Sequence, residues 1–68
     1  MTPATIKGIR LKLGLTQEEA GTLFGGGVRA FQKYEAGEVA PAASMQRLLY
    51  ICEKFPQVLG ALGIAVAT

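Results

Sequence analysis

The stretch FGGGVRAFQKYEAG, from Phe24 to Gly37, constrains this chain more than any other. Glycine loses the most conformational freedom on ordering, so three in succession are kept only where the backbone must turn sharply or approach something closely. The residues after Gly25, Gly26 and Gly27 are amphipathic at helical spacing. At about 100° per residue, Val28, Arg29, Gln32 and Lys33 share one face, with Ala30, Phe31 and Tyr34 opposite. One face is cationic and polar, the other aromatic. The triplet therefore reads as a tight turn between two helices.

The helix before the turn has the clearest start signal in the chain. In TQEE, Thr16 can accept the Glu19 amide while the Glu19 side chain reaches back to the Thr16 amide, a capping box. Glu18 and Glu19 lie in the first turn, where the helix dipole favours negative charge, and Ala20, Leu23 and Phe24 supply an inward side. Upstream, Thr2 and Pro3 open a first helix of about Pro3 to Leu13, with Ile6, Ile9 and Leu13 as its stripe and Gly14 as a C-terminal cap of positive φ. Lys7 points away from that stripe and Arg10 borders it. Downstream, Gly37 ends the third helix and EVAP turns into a fourth, from about Ala43 to Lys54. Met45, Leu48, Leu49, Ile51, Cys52 and Phe55 make its stripe so broad that this helix is expected to be mostly buried. Pro56 breaks it, Val58, Leu59 and Leu62 suggest a short fifth helix, and residues 63–68 read as a tail. No strand pattern competes. The predicted fold is all-α, of four to five short helices.

A chain of 68 residues, half of them apolar, can build one small core and sits near the size at which folding alone is only marginally favourable. Its apolar spacing continues through FPQVLGALGIAVA, so a homodimer through helix 5 and the tail is expected, with Tyr50 joining it. With one cysteine and no histidine, the residues supply neither an internal disulfide nor a Cys/His zinc site, and no cofactor or metal is expected. Cys52 reads as a small buried hydrophobe. Glu18, Glu19, Glu35, Glu38 and Glu53 form no paired arrangement and have no histidine to work with, so an enzyme acting on a small-molecule substrate is not expected. No stretch is long and apolar enough to cross a bilayer, and the expected location is cytoplasmic, without a membrane partner.

Two short helices joined by a glycine turn, the second basic on its outer face, match a helix-turn-helix. The glycines would permit the reversal and would also keep the amino end of helix 3 free of bulk. The amides of Gly26, Gly27 and Val28 could then approach a DNA phosphate. Helix 3 is the element that enters the major groove in such folds, which makes Arg29, Gln32 and Lys33 the candidate base contacts. The plainer reading of the basic pair is a solvated helix face. Lys7 and Lys12 add screened attraction or are ordinary surface lysines. Phe31 and Tyr34 fall opposite the cations and read as core packing, not as a stacking platform for bases.

LTQEEAGTLFGG followed by VRAFQKYEAGEVAP resembles the DNA-binding domain of the Xre/Cro/CI repressors, over about Ile6 to Phe55. The pattern TQEEA with LFGGGVxAFxxYExGE resembles, more narrowly, the C-terminal domain of MqsA-type (YgiT-type) antitoxins, from Thr2 to about Leu62. The resemblance implies a lambda-repressor-like helix-turn-helix domain over 1–62, with 63–68 as the tail. It implies a dimer that binds double-stranded operator DNA and represses its own operon, a phosphate contact from Gln17 with Thr16 chiefly capping, and a salt bridge between Arg10 and Glu35. In that family a separate zinc domain holds the toxin. These residues contain no such domain, so a toxin partner is implied without residues assigned to it, and a stand-alone repressor and an excised domain are both open. The family pattern has Asn then Arg where this chain has Arg29 and Lys33, so no operator sequence carries over. The rival reading is a protein-interaction module gripping a partner through helix 4 and the tail.

Overall fold

The computed structural model describes residues 1–67, with side chains through residue 65, and it is all-α. Five helices follow one another: α1 Pro3–Lys12, α2 Gln17–Phe24, α3 Gly27–Ala36, α4 Ala43–Lys54 and α5 Val58–Ala67. Their ends are set by local chemistry. The Thr2 hydroxyl accepts the Thr5 amide at 3.1 Å, and Gly14 (φ 74°) reverses the chain after α1. At α2 both halves of the capping box form, with Thr16 Oγ1 accepting from the Glu19 amide (3.1 Å) and the Thr16 amide donating to Glu19 Oε1 (2.9 Å). Gly37 (φ 78°) closes α3 in the left-handed region that glycine enters without a Cβ penalty.

Ile6, Ile9, Ala20, Phe24, Phe31, Leu49 and Cys52 form the core, and Phe31 is fully buried at its centre. Its ring lies 6.0 Å from that of Phe24 and 5.4 Å from that of Tyr34, the latter edge-on. Pairs of this kind contribute about 0.5–1.5 kcal/mol beyond area burial. Helix α3 packs on α2 and α1, α4 packs on α1, and α5 closes against α2 and α4.

Two expectations are corrected. Helix α4 is not mostly buried: Leu49 and Cys52 are sealed, but Ile51 and Phe55 are 46% and 55% exposed. Among the described residues no element covers that side of the stripe. Helix α5 continues past Leu62 to Ala67, through positions expected to form a tail. The rest of that tail, Thr68, lies outside the described residues.

Candidate nucleic-acid interface

The turn between α2 and α3 is made by three consecutive residues of positive φ: Gly25 (100°), Gly26 (88°) and Gly27 (78°). An L side chain at any of them is strained, so the reversal depends on all three being glycine. A second requirement comes from inside α2. A Cβ added to Gly21 would overlap the Gly27 carbonyl and stand 2.8 Å from the Val28 nitrogen, so the two helices meet backbone to backbone there. Reading the sequence for a turn missed Gly21. Its signal was present, since a mid-helix glycine costs about 1 kcal/mol relative to alanine and so implies a reason.

This close crossing fixes how α3 presents its outer face. Arg29, Gln32 and Lys33 are exposed, Val28 is half-exposed, and Phe31 anchors the opposite side. Among the described residues the side chains of Arg29, Gln32 and Lys33 make no hydrogen bond or ion pair with another residue. Gly26 and Gly27 are exposed at the amino end of α3, which no side chain caps. Arg29 and Lys33 line one cleft with Gly26, Ala30, Tyr34 and Val39.

Arg10, Gln17 and Glu35 are in the opposite condition, committed to one another. Arg10 Nε donates to Glu35 Oε2 at 2.7 Å and its Nη2 to Oε1 at 2.9 Å, the bidentate geometry that suits a guanidinium and a carboxylate. The remaining Nη1 donates to the Leu15 carbonyl at 2.9 Å, tying α1 to the turn before α2. Both side chains are sequestered, at 10% and 6% exposure. The hydrogen bonds from Arg10 hold the Glu35 carboxyl below its ordinary range against the opposing effect of burial, and the same contact raises the Arg10 guanidinium. Gln17 Nε2 adds a third donor to the Glu35 carboxylate, 3.3 Å from Oε1. The glutamine therefore has a structural partner that its sequence position did not disclose. Thr16 is engaged in the capping box, and Lys7 stands at the rim of the shallow pocket over Arg10, Thr16, Gln17 and Glu35.

No helix among the described residues is long and apolar enough to cross a membrane, and their Cys and Glu side chains do not gather to hold a metal. Burial raises the Cys52 thiol above its ordinary pKa, as befits a core residue.

Comparison with known proteins agrees with this architecture. Residues 1–63 match the family model described as the antitoxin component of bacterial toxin-antitoxin systems, MqsA. Over 62 residues, 91% of its length, the chain is 44% identical to antitoxin MqsA of Escherichia coli strain K12. It spans about half of that relative, 47%. A family match over nearly every residue and this level of identity, on a chain whose second and third helices cross at glycine, together mean that the chain belongs to the MqsA antitoxin family.

Proposed function

We propose that this chain is the operator-binding module of a toxin-antitoxin system: a homodimer that sets α3 of each protomer into successive major grooves and represses transcription by keeping RNA polymerase from the promoter. The observation that carries this reading is the outer face of α3. Arg29, Gln32 and Lys33 are exposed and uncommitted there, on a helix whose other face is locked into the core. Arg29, one turn in, is suited to guanine O6 and N7, Gln32 to adenine, and Lys33 to a base or a phosphate. The amides of Gly26, Gly27 and Val28, with Thr16 and Gln17 at the start of α2, offer donors to the phosphates on either side. The Gln17 amide carries two hydrogens, so its bond to Glu35 leaves one for a phosphate.

Dimerisation is supported by Tyr50, Ile51 and Phe55, exposed along α4 beside the uncharged helix α5. A toxin protein as a further partner follows from the family alone. The test is titration of a palindromic duplex and a scrambled one at several salt concentrations. The reading requires preference for one sequence and affinity that falls steeply with salt. Little DNA affinity together with salt-insensitive protein binding would favour the interaction-module reading instead.

A further inference from the structure

The connection between α3 and α4 is pinned at both ends. At its start the amides of Gly37 and Glu38 close onto the carbonyls of Tyr34 and Lys33. At its end Pro41 is buried, and its carbonyl accepts a 2.9 Å bond from Gln46 Nε2. Between these anchors stands Val39, 47% exposed. One side of it lines the cleft that contains Arg29 and Lys33, and another borders the crevice of Pro3, Ile6 and Tyr34. A β-branched side chain has few χ1 rotamers, so Val39 is a stiff apolar group beside two flexible cations.

An exposed valine is unremarkable by itself; its position is what carries information. A cleft serving phosphates alone gains nothing from a branched apolar wall. On base edges in the major groove, the apolar feature is the C5 methyl of thymine. We propose that Val39 contacts a thymine methyl in each half-site and so adds a base-pair preference to the one set by α3. This rests on the DNA-binding reading above. The specificity of the module would then reside in two elements, the helix and the loop that follows it.

The experiment takes the duplex that the wild-type chain selects from a randomised library and replaces its thymines one at a time by uracil, which removes only the methyl group. At one position per half-site the wild type should bind the uracil duplex about fourfold more weakly, the value of one buried methyl group. Val39→Ala should bind both duplexes alike, at the affinity of the wild type for the uracil form. Val39→Ser, which carries no methyl group, repeats the comparison in case Val39→Ala lowers the melting temperature. The proposal is overturned if the wild type is indifferent to every replacement, or if the methyl preference persists undiminished in both variants, which would assign it to another group such as Val28. A wild-type chain that selects no duplex overturns the DNA-binding reading as well, and so is distinguished from failure of Val39 alone.

Discussion

Gly21 and Gly27 meet without side chains between them, and the peptide following Gly27 occupies the space a Cβ on Gly21 would need. Alanine at a mid-helix glycine ordinarily stabilises by about 1 kcal/mol. At Gly21 the sign should reverse, because the obstacle is backbone and cannot rotate away, and overpacking of this kind costs about 1–3 kcal/mol. Gly8, inside α1 with nothing within 4 Å of an added Cβ, is the internal control. Thermal unfolding followed by circular dichroism should put Gly8→Ala above the wild type and Gly21→Ala below it. Two shifts of the same sign would mean that the crossing is looser than described.

Removing Glu35 should cost about 3 kcal/mol, since it strands the Arg10 guanidinium in a nearly closed site. An exposed pair would have cost about 1 kcal/mol or less. The pH dependence follows from the lowered carboxyl pKa. A carboxyl whose folded pKa lies below its unfolded one stabilises fully above the unfolded value, about 4.3 for glutamate, and that contribution drains away as pH falls through the folded value. Urea melts between neutral pH and the acid range should therefore show the wild type losing its margin over Glu35→Ala below about pH 4. A constant margin would remove the charge from the account.

Arg29 and Lys33 should fail differently. Arg29→Ala should cost about 1–3 kcal/mol on the preferred duplex and relax preference at one base pair in each half-site. Lys33→Ala, losing a phosphate contact, should weaken all duplexes similarly and reduce the salt slope by about one per half-site. Binding isotherms on preferred and scrambled duplexes separate the two. Equal weakening on both duplexes by Arg29→Ala would place α3 in some other orientation.

The exposed edge of α4 bears on assembly. Substituting Phe55, 55% exposed, by serine should leave the melting temperature of a dilute monomer unchanged and shift the dimer toward monomer in light scattering at high micromolar concentration. A wild type of monomeric mass with and without DNA would exclude the dimer.

Much of this molecule is legible in its sequence where the determinants are local. The TQEE box, the positive-φ glycines and the two faces of α3 each follow from residues within a turn or two of one another. The helix ends drawn from them fall within a residue of those observed at α1, α2 and α4. What could not be read depends on who stands opposite. Gly21 carries meaning only once Gly27 is folded against it, and Gln17 was assigned a phosphate contact alone because its partner Glu35 lies on another helix. The stripe of α4 was visible, but periodicity says which residues are apolar and not how many neighbours arrive to cover them. Ile51 and Phe55 were therefore placed in a core that stops short of them.

Cys52 gives the fold a gauge of its own. It is the chain's only sulfhydryl, it has no exposed surface, and it sits on α4, which packs against α1. A thiol-modifying reagent can reach it only in molecules whose core has opened, so the rate of its consumption reads out how often that happens. Bound DNA, by holding the closed form, would slow that rate without touching the cysteine at all.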